Sequence, residues 1–247
     1  MFVTELLGAL LEDGAIGTAG GLAEVAELTL PPTLRLTILR RLSFQSDDTL
    51  ATLRAAAILG SGFSLTDLAT VTGRPATELS VALAEAIRAR LIEDDAAVLR
   101  FRHDLIRESI YADLPVSVRR ALHREAGQRL AGAGAPALQI AEHLARGAAP
   151  GDALAIEWLT RAAREAAARS PDAAADLLDR ASGLMDPADP GRYRLLAERA
   201  SSLLLAGQIA GAEAACRQLL DGGRDPLVEG PVRICPWPCS AGRRARS

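Results

Sequence analysis

Only one stretch of this chain alternates between apolar and polar residues in the manner of a β-strand. The apolar pair 91–92 and the run 98–101 flank the acidic turn 93–95, which predicts a two-stranded hairpin. Elsewhere the apolar residues recur at helical spacing. Ala, Leu and Arg dominate the composition, and these residues lose little side-chain freedom in a helix. The sequence therefore predicts a mainly α protein whose only sheet is this hairpin.

Three predicted helices lead directly into the hairpin. Ser46 and Ser64 are in position to cap the first two, and the third covers residues 75–91. Three helices followed by a hairpin is the order of a winged helix. A winged helix that reads DNA needs basic or amide side chains along its third helix, whereas Glu78 and Glu85 lie along this one. We therefore expect no direct DNA binding by this chain.

Helices are also predicted on both sides of this region. Residues 2–13 have one apolar face, a Gly-rich segment at 14–21 ends that helix, and "LPPTLRLTILRRL" begins another. Beyond the hairpin, a further helix begins near residue 104. Helical periodicity then predicts six more, at 116–131, 137–147, 151–169, 171–185, 191–206 and 208–221.

A weak internal repeat bears on how the C-terminal helices pack. "AIEWLTRA" at 155–162 resembles "AADLLDRA" at 174–181, and "AGQIAGAEAACRQLL" at 206–220 has the small-residue spacing of a tetratricopeptide-like hairpin. Small residues let neighbouring helices approach, so that each pair buries its apolar face on the next. We predict antiparallel helical repeats of this kind, and an ordinary helical bundle is the alternative.

The periodicity divides the chain into four parts. Residues 1–45 form a helical segment, residues 46–113 the winged helix and residues 114–221 the helical repeats. The tail, residues 222–247, contains Pro, Gly and Arg without an apolar face. We expect this tail to be disordered, because it has too little apolar surface to bury.

The residue types exclude several functions. No Lys is present, so that all 28 basic residues are Arg, and a P-loop cannot form without its Lys. Cys216, Cys235 and Cys239 lack the spacing of a zinc site, and no Ser-His-Asp or Cys-His arrangement is recognisable. We therefore expect no enzyme activity, with no catalytic residue, no metal site and no cofactor bound by this chain alone.

Net charge and hydropathy bear on location and partners. The formal net charge of −3 offers no overall attraction to nucleic acid or to anionic membranes. The N-terminus has no basic region ahead of its apolar residues. No apolar run approaches the ~20 residues of a membrane span. We expect a cytoplasmic protein in a reducing environment, with no membrane partner.

Three segments resemble a known family. They are the run from "LPPTLRL" to "ATVTG", the run "LIEDDAAVLRFRHDLIRESIYADLP" and the run "RRALHREAGQRLA". These segments are similar to the middle of the large ATP-binding LuxR-type (MalT-like) transcriptional regulators, which belong to the signal-transduction ATPases with numerous domains. The resemblance covers residues 2–221, and "FRHDLIRESIY" at 101–111 is its most specific part.

The resemblance implies an internal fragment of a nucleotide-gated transcriptional regulator. In the family this region comprises the end of the nucleotide-binding module, here residues 1–45, then a winged helix and a helical-repeat sensor. The family's phosphate loop belongs before residue 1, and its DNA-binding helix-turn-helix belongs beyond residue 247. The expected partners are that ATPase module and a protein or small-molecule inducer on the repeats, with ADP or ATP in the intact parent. Because periodicity is lost near Cys235, we expect a frameshift or truncation there.

The same resemblance gives His103 and Arg102 a candidate role as nucleotide-phosphate contacts. In related ATPases a His of the winged helix contacts the β-phosphate of ADP and holds the molecule closed, and His103, followed by Asp104, matches it. Arg102 stands where the family has Met, and it is expected to pair with phosphate or with solvent. A His at a helix N-terminus adds a donor beside unsatisfied backbone N–H groups, which favours an anion. His123 and His143 lie inside amphipathic helices and are interpreted as structural.

Two functions stay open at this point. The first is a regulatory fragment in which the winged helix senses a nucleotide and the repeats bind an inducer or a partner protein. The second is a free-standing helical protein-interaction module with no nucleotide role. Affinity for a nucleotide distinguishes them.

Overall fold

The computed structural model describes residues 16–19, 22–25, 42–96 and 98–221, the first two ranges by their backbone alone. The chain divides into two compact units, Met1–Leu122 and His123–Ser247. The described helices are α1 Asp47–Leu59, α2 Leu65–Thr72, α3 Ala76–Arg88, α4 Asp104–Asp113, α5 Val116–Gly132, α6 Ala137–Gly147, α7 Ala153–Ala166, α8 Pro171–Leu184, α9 Pro190–Leu205 and α10 Ile209–Asp221. The described strands are β1 Ile16–Ala19, β2 Leu22–Val25, β3 Gly62–Phe63, β4 Ile92–Asp95 and β5 Val98–Phe101. The mainly helical fold predicted from the sequence is therefore confirmed for these residues.

A three-stranded antiparallel sheet lies in the first unit, with the strand order β3-β5-β4. The predicted hairpin is confirmed, since β4 and β5 pair along their length with Ile92 opposite Phe101. The prediction that this hairpin is the only sheet is wrong, because Gly62 and Phe63 add a third strand next to β5. A strand of two residues is too short to show the alternation by which strands are recognised.

A second sheet was also missed. β1 and β2 pair antiparallel, with Ile16 opposite Val25 and Ala19 opposite Leu22. The sequence predicts a helix stop in the Gly-rich segment 14–21, and residues 16–19 are instead a strand. Gly, Ala and Glu are depleted in strands and make up four of the eight paired residues, which weakens the propensity signal. The helices predicted at 2–13 and after residue 31, and the tail at 222–247 that is predicted to be disordered, lie outside the described residues.

The first unit has one apolar core to which helices and strands both contribute. Leu53 of α1, Leu68 of α2 and Leu79 of α3 are all almost fully buried. Phe63 of β3 and Phe101 of β5 join the same core, with ring centroids 6.0 Å apart at an angle of 55°. Tilted aromatic pairs at this separation are favourable beyond the area that they bury. The sheet therefore packs on the three helices through its aromatic residues.

Two of the helix starts follow the predicted capping. The Ser46 hydroxyl accepts a hydrogen bond from Thr49 N, and the Ser64 hydroxyl accepts one from Asp67 N. Each bond satisfies a backbone N–H of the first turn, which has no partner inside the helix. Both predicted N-caps are confirmed.

The end of α3 differs from the prediction. The helix ends at Arg88 rather than at residue 91, because Arg90 adopts a left-handed φ of 57°. Leu91 N then donates to Ala86 O at 2.9 Å, which is the helix-ending geometry of a Schellman motif. Gly usually occupies the left-handed position, and an Arg there gives the sequence no stop signal.

A carboxylate joins α3 to the start of α1. Glu85 accepts hydrogen bonds from the Ser46 amide at 3.0 Å, from the Ser46 hydroxyl at 2.6 Å and from the Thr49 hydroxyl. The hydrogen bonds from the Ser46 and Thr49 side chains lower the pKa of Glu85 from its ordinary value of 4.5 to about 2. Glu85 is therefore turned toward its own unit rather than outward from α3.

Helices of the second unit pack one after another along the chain. α6 packs on α7, α7 on α8, α8 on α9 and α9 on α10. Their core is rich in Ala, and Ala141, Leu159, Ala174 and Ala181 are fully buried. The six helices predicted between residues 116 and 221 are confirmed, with some boundaries moved by a few residues.

Ion pairs in the second unit also connect helices that are not consecutive. Arg164 of α7 binds Glu198 of α9 through two hydrogen bonds of 2.8 and 3.0 Å. Glu142 of α6 accepts a hydrogen bond of 2.6 Å from Arg180 of α8. α6 and α7 thus each contact both the next helix and the one after it.

Candidate functional site

His103 begins the helix that follows the hairpin. It is the N-cap of α4, with an extended backbone (φ −143°, ψ 136°), and its side chain makes no capping hydrogen bond. The residue is half-buried. Ser, Thr, Asp and Asn are the usual N-caps because their oxygens accept from the first N–H groups of the helix. The start of α4 instead combines an imidazole with the positive end of a helix, and both favour an anion.

Arg102, the residue before it, pairs with the hairpin. Its Nε lies 3.6 Å from Glu93 Oε1 on β4, and both side chains are substantially exposed. Its backbone N donates to Leu91 O at 3.1 Å, which continues the strand pairing past β5. Exposed ion pairs of this length are weak. The sequence left phosphate and solvent as the alternatives for Arg102. The structure shows a third contact, with the Glu93 carboxylate of its own hairpin.

Arg107 is a candidate that sequence reasoning did not single out. It lies four residues after His103 on α4, and residues at this spacing share a helix face. Its Nε is buried without a hydrogen-bond partner, and its Nη2 lies 3.8 Å from Glu108 Oε1. A buried donor without a partner is uncommon in folded proteins. The regular spacing of 103, 107 and 111 was the signal that could have identified this face.

Tyr111 continues the same face of α4. The guanidinium of Arg107 lies 5.9 Å from the centre of the Tyr111 ring, and the guanidinium of Arg119 on α5 lies 5.0 Å from it. Both distances are within the range of a cation–π interaction. The face that starts at His103 therefore carries two Arg side chains held against one aromatic ring.

The groups on this face are of types that bind anions in proteins. Imidazoles, helix N-termini and guanidinium groups donate hydrogen bonds to phosphate oxygens in other proteins. Here these groups are His103, the start of α4 and Arg107. Asp104 and Glu108 lie on the same helix and reduce its positive charge. Within the described ranges, no group of three or more His, Cys, Asp or Glu is arranged to hold a metal ion.

His123 and His143 lie together, which sequence reasoning missed. Their Nδ1 atoms are 3.0 Å apart, on α5 and α6, and both residues are buried. The interpretation as structural residues on separate helices did not foresee this contact. A contact between two helices that are joined by a turn depends on the angle between them. The helical periodicity of a sequence does not predict that angle.

A groove of about 270 Å³ lies elsewhere on the first unit. It is formed by α1 and α4 with residues 42 and 43, and Arg54 and Asp113 are its charged residues. Asp113 is the last residue of α4, whereas His103 precedes its first. The groove is therefore separate from the candidate phosphate face.

Comparison with known proteins adds no further information about this site. The chain matches no protein-family model, no curated protein and no solved structure. In the part of the chain that the structure describes, no helix has both the length and the apolar character needed to cross a bilayer.

Proposed function

We propose that this chain is the winged-helix and helical-repeat region of a nucleotide-gated transcriptional regulator, of the kind that its sequence resembles. In this proposal the region works in the cytoplasm, and an ATPase module that would precede it supplies most of the nucleotide site. The observation that carries the proposal is His103, the N-cap of the helix that directly follows the hairpin. His103, Arg102 and Arg107 are the proposed phosphate contacts.

The winged-helix part of the proposal rests on element order. In the first unit α1, β3, α2, α3, β4 and β5 follow one another, and the sheet order is β3-β5-β4. A winged helix has three helices and a short strand that joins the terminal hairpin, which is this order. Val81 on the third helix is 69 % exposed, and an outward apolar residue is poorly suited to reading base edges. We therefore assign this module a structural and nucleotide-sensing role without direct DNA binding.

The repeat part of the proposal rests on packing in the second unit. The helices are joined by short connections, and short connections between packed neighbours make them antiparallel. The ion pairs from α6 to α8 and from α7 to α9 supply the contact with the second neighbour that stacked helical hairpins require. These features support tetratricopeptide-like repeats and, on them, a surface for a protein or small-molecule inducer.

A second candidate function, a helical protein-interaction module without a nucleotide role, has its own supporting observation. Leu205, Ile209 and Leu220 on the last two helices are each more than 60 % exposed. Exposed apolar side chains that form a contiguous patch often mark protein contacts, and Leu205 and Ile209 flank the short turn between α9 and α10. This module would bind its partner equally well with and without a nucleotide.

An NMR titration with ADP of a protein in which a P-loop module precedes this chain tests the proposal, with adenosine as the control that lacks phosphate. We expect ADP, and not adenosine, to shift the His103 ring signals and the first backbone amides of α4. His103→Ala should remove the response of these amides, and Arg107→Ala should reduce it. Arg88→Ala, at the end of α3, is the matched exposed-Arg control and should leave it unchanged. No response of α4 to millimolar ADP would favour the interaction module.

A further inference from the structure

Two buried imidazoles face each other at the beginning of the second unit. The Nδ1 atoms of His123 and His143 are 3.0 Å apart, and the ring centroids are 5.3 Å apart. His123 is 1 % exposed and His143 is 4 % exposed. The proposed phosphate site makes no use of this pair.

The number of protons on such a pair is limited by its geometry. A hydrogen bond between two Nδ1 atoms needs one ring to donate and the other to accept. In the neutral pair the donor ring carries its proton on Nδ1 and the acceptor ring carries its proton on Nε2. One additional proton can enter at Nε2 of the donor ring, and the N–H···N bond persists. A second additional proton must enter at the accepting Nδ1, so that two N–H groups of two buried cations oppose each other.

Close helix packing keeps the rings together. A Cβ added to Gly127 of α5 would lie 2.7 Å from Leu144 Cγ and 3.2 Å from Leu144 N on α6. Gly127 is one helical turn after His123, and Leu144 is next to His143 in sequence. Because α5 and α6 approach so closely at this point and both rings are buried, separation of two repelling rings disturbs the packing between these helices.

The charged groups on the surrounding helices are engaged with one another. On α5, Arg124 pairs with Asp152, the residue that caps α7. On α6, Glu142 pairs with Arg180 of α8 and, at 3.8 Å, with Arg146 of α6. Arg119 of α5 lies one turn before the pair and is held against the ring of a Tyr. Glu125 of α5 pairs with Arg129 of the same helix, so that these three carboxylates each have an Arg partner.

We propose that His123 and His143 form a proton-sensitive latch between α5 and α6. The latch stays closed while the pair carries at most one additional proton, and it opens when acidification makes both rings imidazolium. The division between the two compact units falls immediately before His123, inside α5. Opening the latch therefore loosens the first helix of the repeat unit and makes that unit responsive to pH.

Urea unfolding of the full chain between pH 8 and pH 5 tests the latch. Fluorescence of Trp158 on α7 reports on the second unit when Trp237 is replaced by Phe. We expect the unfolding constant to rise by about tenfold per pH unit well below pH ~6.5, because the unfolded chain then binds two additional protons at these positions and the folded chain binds one.

The double variant His123→Asn, His143→Asn should lose this pH dependence. An Asn amide offers a donor and an acceptor near the Nδ1 position and does not titrate in this range. His103→Asn, the variant of the third His in the chain, is the matched control. Its unfolding constant should depend on pH as that of the wild type does. The same slope in the wild type and the double variant would overturn the proposal.

A measurement on the wild-type protein decides the question if the double variant does not fold. Ring ¹⁵N spectra should show one Nδ1 proton shared between His123 and His143 at every pH at which α5 and α6 stay packed on each other. Two imidazolium rings at positions 123 and 143 at pH 5, with the nuclear Overhauser contacts between Gly127 and Leu144 unchanged, would contradict the latch.

Discussion

Glu85 is the residue at which two helices of the first unit are joined. It accepts from Ser46 and Thr49 at the start of α1, while its backbone belongs to α3. Hydrogen bonds to a carboxylate favour its charged form, which is why the pKa of Glu85 falls to about 2. The contact therefore depends on the ionised side chain.

The stabilisation by Glu85 should disappear in acid. The folded-state pKa, about 2, is below the ordinary value of 4.5, so the contribution is fully present above pH 4.5 and is lost as the pH falls toward 2. Glu85→Gln should therefore lower the urea midpoint of the first unit near pH 6, and its difference from the wild type should shrink below pH 4.5. Glu78→Gln removes only an exposed ion pair of the same helix and should change the midpoint little. A constant gap between wild type and Glu85→Gln from pH 6 to pH 2.5 would contradict this role.

The sequence allowed some of the site residues to be predicted and not others. The location of His103 at a helix start was predictable, because a hairpin and a helical period meet there. The ion pair of Arg102 with Glu93 and the unpartnered Nε of Arg107 depend on how side chains lie in three dimensions. Periodicity places a side chain on a face but does not say which atoms it meets.

The helices of the second unit pack closely on their neighbours through small buried residues. The match between residues 155–162 and 174–181 falls on α7 and α8, which pack on each other, rather than on equivalent helices of successive hairpins. The match arises because both helices bury two Ala and one Leu at the same spacing. The buried residues are Ala155, Leu159, Ala162, Ala174, Leu178 and Ala181.

Gly127 should be the least replaceable glycine of α5. A Cβ there would contact Leu144 Cγ and Cδ2 at 2.7 and 2.8 Å and Leu144 N at 3.2 Å. Gly127→Ala should therefore destabilise the second unit by about 1–3 kcal/mol, as overpacked cores do, although Ala is the better helix former. Gly132→Ala in the same helix meets nothing within 4 Å and should be neutral or stabilise by up to about 1 kcal/mol. Urea unfolding followed at Trp158 measures both variants, and equal stabilities would show that α5 and α6 do not pack as described.

The limits of sequence reasoning are clearest for the shortest elements. Helices of ten residues or more have enough turns to reveal a face, and those predicted between 46 and 221 were found. β3 has only two residues, and these are extended because they pair with the edge of β5. Arg90, which has a left-handed backbone, ends α3 at a position where the sequence has no Gly to predict a helix end. Both features are set by tertiary contacts, for which a single sequence has no local signal.

For the whole molecule, we propose that the first unit senses a nucleotide and that the second unit carries the helical repeats. The first unit supplies His103 at the start of α4, and the second supplies stacked helices with a buried His pair at their beginning. The central claim is that His103 contacts the nucleotide phosphate in the closed, ADP-bound state. A charge-assisted hydrogen bond contributes about 1.5–3 kcal/mol.

The affinity for ADP of a regulator in which a P-loop module precedes this region tests that claim most directly. Isothermal titration calorimetry should compare the wild type with His103→Ala, and Arg88→Ala serves as the control outside the site. Loss of a contact of that strength predicts that His103→Ala binds ADP about tenfold to a hundredfold more weakly, while Arg88→Ala binds it as the wild type does. Unchanged ADP affinity in a folded His103→Ala protein would contradict the account and leave His103 as a structural residue of the first unit.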